Sequence, residues 1–557
     1  MKSNLVHQFA QIPRANIPRS RFARPSSYKT TFDSGYLVPF FLDIALPSDT
    51  FSLTSQFLLR ITSPLIAPVM DNLFADVFFF AVPFRLLWDN WERFCGERSS
   101  PDDVYDGVIP KVAIEFGQSV TKESLTQSLA DYYGIPVNNL SADINVNALP
   151  FRAYNLIYNE WFRDENLCDP AYIYKGDATQ VFFDNYPLRR RGKRHDYMTS
   201  CLPWPQKGPD GVISIGGSAP VVGDGNALGF SMRLSGGSTF TDACLRTVAS
   251  SGTIQHYTTD MTRVSLPRAN GAPLPTDTPT GNALTGAALG VSTDATKSGL
   301  IADLSSVNPI PINDFRQAVA LQHWFEALAR GGSRYTEIVR SVFGTISPDA
   351  RLQRPEYLGG GSFPIDFKTV EQTSSTNSTT PQGNLAAFGL GGDASIGFTK
   401  SFTEHCIIVG LISVRADLTY QQGLHRFWSL DTLESLYWPQ FAHLGEQSVL
   451  SKELYCDGTS GDDDVFGYQE RYAEWRYKQS RITGKLNSCY SAPLDAWHLA
   501  QEFSERPLLN ADFIEEHPPV DRVVAVTDEP QFLMDSFLDL VCTRPMPLYG
   551  VPGLNRM

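Results

Sequence analysis

The chain is short of the features that mark a secreted, membrane-bound or catalytic protein. Its eight cysteines, at 95, 168, 201, 244, 406, 456, 489 and 542, contain no Cys-x-x-Cys pair. That spacing argues against structural zinc and a disulfide framework, and reads as buried free thiols in a reducing compartment. Charged residues make up only 19%, below the usual quarter. Much of the polar surface is then Ser, Thr, Asn, Gln and Gly, which suits protein contacts. No run reaches the roughly 18 apolar residues of a membrane span. The densest run, Val77-Phe78-Phe79-Phe80-Ala81-Val82, stops at Pro83 and reads as a buried strand. The N-terminus lacks the apolar core of a signal peptide, so cytosolic synthesis without membrane insertion is expected.

Chemical signatures are missing too. Gly332-Ser333 and Gly361-Ser362 lack the second glycine of a nucleophile turn. Gly484-Lys485 is followed by Leu486, which has no hydroxyl for a phosphate-bound magnesium. No His-x-x-x-His pair occurs, and Glu515-Glu516-His517 runs into two prolines. Asp462-Asp463-Asp464 lacks calcium-loop spacing and reads as a solvated turn. Nothing nominates a carboxylate pair for glycoside hydrolysis. No catalytic residue, metal ligand or cofactor is expected.

What is present is unevenly distributed. Net charge is −14, from 46 basic and 60 acidic residues, which is not that of a basic nucleic-acid binder as a whole. Yet residues 1–32 carry Lys2, Arg14, Arg19, Arg21, Arg24 and Lys29 and no acid. This segment, 1–35, reads as an extended basic arm. It either faces nucleic acid or reaches onto a neighbouring subunit. A second cluster, Arg189, Arg190, Arg191, Lys193 and Arg194, is flanked by Tyr186 and Tyr197. It can grip phosphate with stacked bases, or form a salt-bridged network at a subunit contact.

The periodicities predict strands joined by long excursions. Residues 36–61 read as a pair of strands turning at Pro47-Ser48-Asp49. Leu73–Val82 and His405–Ala416 read as buried strands, and Val465–Tyr477 and Phe532–Cys542 as further strands. Trp88, Trp91 and Phe94 predict a short helix, and Phe151–Arg163 an amphipathic one. Asn313 caps a helix that Gly331-Gly332 stops, and Ser333 caps another that ends near Gly344. Residues 372–396 read as a low-complexity loop. Residues 207–309 are rich in Gly, Ser, Thr, Ala and Pro and read as a surface insertion. The body is then 36–206 plus 310–557, all-β dominated, with jelly-roll or sandwich layering.

Several blocks carry a resemblance. Tyr28–Pro39, Val69–Leu73, Trp88-Asp89-Asn90-Trp91, Arg189–Asp196, Leu202–Lys207, Ala329–Phe343, Ser347–Gly360, Tyr468–Tyr477 and Cys542–Pro547 resemble the major capsid proteins of microviruses, in the gokushovirus branch. The blocks keep their order across nearly the whole chain. The resemblance implies an eight-stranded antiparallel jelly roll with long loops, a few short helices and one large insertion. It implies a structural protein that self-assembles into a T=1 icosahedral shell around circular single-stranded DNA. The implied partners are other copies of itself, the packaged DNA, a small basic DNA-binding companion, a minor (pilot) protein and a host surface receptor. Assembly is expected in the bacterial cytoplasm, and the mature location is the virion. The insertion is expected at threefold protrusions that touch the host, with Phe230, Phe240 and Tyr257 as candidate anchors. The alternatives are a carbohydrate-binding or glycan-degrading β-sandwich, and a tube or surface-layer subunit.

Overall fold

Alternation of apolar and polar residues builds one large sheet. The computed structural model describes residues 18–116, 121–209, 312–374, 376–378 and 381–549, and strand segments between 221 and 302. The sheet strands in chain order are β1 (Ser20–Ala23), β2 (Ser26–Phe32), β3 (Val38–Ala45), β4 (Thr50–Ile61), β5 (Leu73–Pro83), β6 (Glu356–Glu371), β7 (Leu385–Ser401), β8 (Cys406–Ala416) and β9 (Phe532–Arg544). They lie in the order β1-β9-β4-β7-β6-β5-β8-β3, with β2 beside β1 on the same edge of β9. Every pairing is antiparallel. In β4 the inward set is Phe51, Leu53, Ser55, Phe57, Leu59 and Ile61, the period-two pattern of a half-buried strand.

The sheet curls until its two edges face each other. Arg24, between β1 and β2, pairs with Asp43 of β3 at 2.6 Å. Arg544 of β9 pairs with Asp49 at 2.9 Å. The Tyr28 hydroxyl donates to the Tyr132 carbonyl and the Tyr132 hydroxyl donates to the Thr31 carbonyl, both at 3.0 Å. Side chains therefore cover edges that would otherwise offer unpaired backbone groups. Inside the curl lies a phenylalanine core of Phe32, Phe40, Phe51, Phe57, Phe79, Phe363, Phe398 and Phe532. Burying each such ring contributes about 1.5–3 kcal/mol. This architecture is the expected jelly roll.

A second core lies on the other face of β5 and β8. Phe80, Val82, Ile407, Val409 and Leu411 pack there with Tyr154 and Ile157 of α1 (Leu149–Ile157). Both strands are thus buried on two faces, which explains their unbroken apolar runs. A third cluster gathers Tyr197, Met198, Cys201, Tyr420, Phe466 and Phe513.

Several expectations need correction. β3 and β4 do form around Pro47-Ser48-Asp49, but they do not pair with each other: β3 joins β8 and β4 lies between β9 and β7. From Ser20 onward the extended N-terminal segment pairs into the sheet as two strands. Residues 385–396 belong to the 17-residue strand β7, so the loop shrinks to 372–384. Its glycines are packed: a Cβ on Gly397 would lie 2.0 Å from the Leu53 carbonyl oxygen. Val465–Glu470 is a strand outside the main sheet, and a 3-10 turn at Ala473–Trp475 ends the run early. Trp88 follows one short helix (Phe84–Leu87) and precedes another (Trp91–Phe94). The helix α2 (Ile312–Arg330) already contains Asn313. The helix α3 (Tyr335–Phe343) is capped by Arg334, because Glu337 turns back to the Ser333 and Arg334 amides, each at 3.1 Å. Free thiols are seen at seven described cysteines, but Cys95, Cys456 and Cys489 are exposed.

The chain divides into two compact units, Met1–Gly208 with Phe325–Met557, and Pro209–Trp324. The second unit contains a five-stranded antiparallel sheet in the order Arg263–Ser265, Ile254–Tyr257, Thr239–Thr247, Gly229–Arg233 and Ala288–Val291. Val221–Gly223 pairs with Leu300–Ala302. Regular strand pairing thus occurs where composition suggested loops.

Candidate functional site

The basic cluster is threaded through the body. The Arg191 amide donates to the Gly35 carbonyl at 2.7 Å, and the Glu516 amide donates to the Arg191 carbonyl at 2.8 Å. The Leu37 amide donates to the Arg189 carbonyl and the Lys193 amide to the Ile514 carbonyl. Residues 189–193 therefore lie between segment 35–37 and segment 514–516. Gly35 makes this fit possible: its φ is +81°, and a Cβ there would lie 2.1 Å from the Glu516 carbonyl oxygen.

The cationic heads are engaged inside the subunit. Arg191 Nη1 donates to Asp76 Oδ2 at 2.5 Å, and Arg415 Nη2 reaches the same oxygen at 2.5 Å. Asp76 is 5% exposed. Burial pushes its carboxyl up, but the Ser362 hydroxyl and the two guanidinium groups outweigh burial and hold it below the usual range. Lys193 Nζ donates to Gln501 Oε1 at 2.8 Å and lies over the Phe513 ring. Arg190 stacks over Tyr36 at 4.0 Å, and Arg194 pairs with Asp417 at 3.1 Å. Arg189 lies over the Tyr158 ring. The flanking tyrosines are not stacking platforms. Tyr186 and Tyr197 are 1% and 8% exposed, and their hydroxyls donate to Gln180 and Glu453.

Glu516 completes this network. It is fully buried, and neither carboxylate oxygen has a hydrogen-bond partner. Burial pushes its carboxyl up to about 7, with Lys193 and Arg415 pulling the other way. Sequence reading missed Asp76, Arg415 and Glu516. The signal for Asp76 was available: a lone charge in a strand buried on both faces requires a partner.

A cavity of about 980 Å³ opens beside this network, lined in part by Arg163, Arg191, Arg330, Arg334 and Arg415. Its arginines already meet carboxylates: Arg330 meets Glu446 at 2.6 Å and Arg334 meets Glu165 at 3.1 Å. The acidic run is the expected turn, with Asp463 and Asp464 exposed. Within it Asp462 is 8% exposed and accepts from the Gly458 amide and from Arg506. No group of three or more potential metal ligands occurs among the described residues. No helix among them is long and apolar enough to cross a membrane.

The arm residues differ among themselves. Arg14 and the side chains of Phe230, Phe240 and Tyr257 lie outside the described residues. Arg19 donates to Thr50 Oγ1 at 2.7 Å, and Arg21 is exposed on β1. Arg24 meets Asp43, and Lys29 meets Asp535. In backbone register, Phe230 faces Val291, Phe240 faces Met232 and Tyr257 faces Cys244.

A curled antiparallel sheet with an inserted second unit, and a charge cluster used for internal bracing, is the geometry of a structural subunit. Comparison with known proteins agrees. Residues 10–554 match the family model described as capsid protein (F protein). The chain is 42% identical to the capsid protein VP1 of Bdellovibrio phage phiMH2K, covering 98% of this chain and 97% of that one. It is 41% identical to the capsid protein VP1 of Chlamydia phage 1, over 100% and 99% of the two chains. It is 34% identical to the capsid protein VP1 of Spiroplasma virus 4, over 99% and 98%. These relatives remove the support for a glycan-degrading enzyme. The chain belongs to the capsid protein (F protein) family and is a structural major capsid protein of a phage virion, not an enzyme.

Proposed function

We propose that copies of this chain close into a T=1 icosahedral shell around a circular single-stranded DNA genome. The full-length match to phage capsid proteins carries this reading. In it the sheet body forms the shell wall, and the insertion within 207–309 projects outward to meet a host surface receptor. Phe230, Phe240 and Tyr257 are its proposed anchors. The DNA-facing role falls to the stretch with Arg14, Arg19 and Arg21. Arg24 and Lys29 already spend their charge on Asp43 and Asp535, so they add less. A small basic companion and a minor (pilot) protein share the interior, and assembly takes place in the bacterial cytoplasm.

Expression of the full chain with its companion proteins, followed by negative-stain microscopy and nuclease protection, tests the reading. Closed, uniform particles holding nuclease-resistant circular single-stranded DNA are expected. Tubes, sheets or empty irregular aggregates would overturn it. For the insertion, residues 210–305 are exchanged with those of a relative infecting another host. Adsorption should follow the insertion; assembled chimaeras that adsorb only to the original host would refute attachment through it.

A further inference from the structure

Segment 426–444 carries an unusual surface. Phe427, Trp428, Leu433, Tyr437, Trp438 and Leu444 are exposed by 43%, 75%, 63%, 52%, 43% and 60%. Scattered single apolar residues are normal on a surface, but this many large exposed apolar residues within one short segment mark an interaction site. The group is held in shape from below. Arg426 Nη1 meets Glu453 Oε1 at 2.8 Å, and the Tyr472 hydroxyl donates to the Glu434 carbonyl at 2.9 Å. Phe427 packs on Trp475 at 4.9 Å, and Tyr437 packs edge-on against Tyr472 at 5.3 Å. A ridge fixed in this way loses little side-chain freedom on contact. The exposed charges on the segment itself are acidic, Asp431 and Glu434, while Lys478 and Arg481 act on His425, which packs on Phe427 at its start.

The same compact unit carries a surface of matching character. On and just after α3, Tyr335, Phe343 and Ile346 are exposed by 72%, 75% and 76%. The exposed charges beside them are basic, Arg340 and Arg351. Both segments expose large apolar side chains, and the exposed charges they themselves carry are opposite in sign, which favours correct pairing and disfavours like with like.

Resting on the capsid reading, we propose that the ridge 426–444 of one copy packs on the α3 face of a neighbouring copy, with Asp431 and Glu434 opposite Arg340 and Arg351. The occupant is a second copy of this chain because the chain itself supplies the complementary surface and its family builds shells. Such a contact is self-complementary where two copies exchange it, and directional where it runs around a ring.

Charge reversal tests the pairing in full-length protein expressed under the conditions that give wild-type particles. D431K/E434K and R340E/R351E are each expected to lower particle yield on a sucrose gradient at least tenfold. The subunits should remain soluble and keep the wild-type circular dichroism spectrum and melting temperature. The quadruple variant, with all four charges exchanged, should recover most of the yield. As a second probe, W428S/W438S should give soluble, folded subunits that do not assemble. Wild-type yields from both charge-reversal doubles, or a quadruple variant no better than either, would overturn the pairing. So would normal particles that have lost only adsorption or the companion protein, since the ridge would then serve another partner. Failure of the wild-type chain to form particles would instead refute the capsid assembly reading on which the proposal stands.

Discussion

Arg191 and Asp76 meet at 2.5 Å inside the subunit although 115 residues separate them in the chain. Arg415 approaches the same carboxylate oxygen from β8. One buried acid therefore holds two partly buried arginines, and through them ties β5, β8 and the 189–193 segment together. Removing one member of a buried pair leaves the others charged and desolvated, which is worse than never having had the pair.

Asp76→Asn should therefore destabilise the unassembled subunit by about 3–5 kcal/mol. The Asp43→Asn change, at the edge contact with the exposed Arg24, should cost about 0.2–1 kcal/mol. Urea midpoints of the two variants would check this. Equal midpoints would show that the Asp76 network contributes no more than a surface pair.

Glu516 sets a pH dependence. Burial raises its folded carboxyl from 4.5 to about 7 against the pull of Lys193 and Arg415. Between those values the folded subunit binds a proton that the unfolded chain has released. Stability must therefore fall as pH rises through that window. Glu516→Gln should reduce this slope and gain on the wild type as pH rises from 4.5 toward 8. Urea unfolding from pH 4 to pH 8 reads this directly. A flat wild-type profile, or a variant that gains nothing on the wild type, would contradict the assignment.

Among the described residues, the three cores are built from the Met1–Gly208 and Phe325–Met557 unit. Replacing residues 215–300 with a short Gly/Ser linker should leave a soluble subunit, because loop closure costs only a few kcal/mol at most, about 0.6 kcal/mol per doubling of length. Circular dichroism and limited proteolysis would report the fold. An insoluble or protease-sensitive product would show that the body depends on the insertion.

Local pattern was enough for some elements. β8 was legible because a strand covered on both faces must be apolar throughout, and α1 because Tyr154, Ile157, Tyr158 and Trp161 follow at three- and four-residue spacing. The order of the resembling blocks was enough for the family. β7 was hidden because it is built from glycine, alanine and serine, which in sequence look like a loop. In the sheet those small residues admit the backbone of β4 and side chains such as Ile61.

The role of the basic cluster was beyond the sequence alone. Six neighbouring positions held five cations, and the same string fits phosphate, a partner subunit or an internal brace. Charge says only that a counter-charge is required. Which one is met depends on chain segments brought together from far away: Asp76 on β5, Arg415 on β8, Gln501, and the carbonyls of Gly35 and Ile514. Coulomb attraction and burial act over a few ångströms of space rather than along the chain. Composition and periodicity could therefore determine a β-rich body, and the order of the resembling blocks its family, while only the tertiary fold decided that these arginines hold the subunit together.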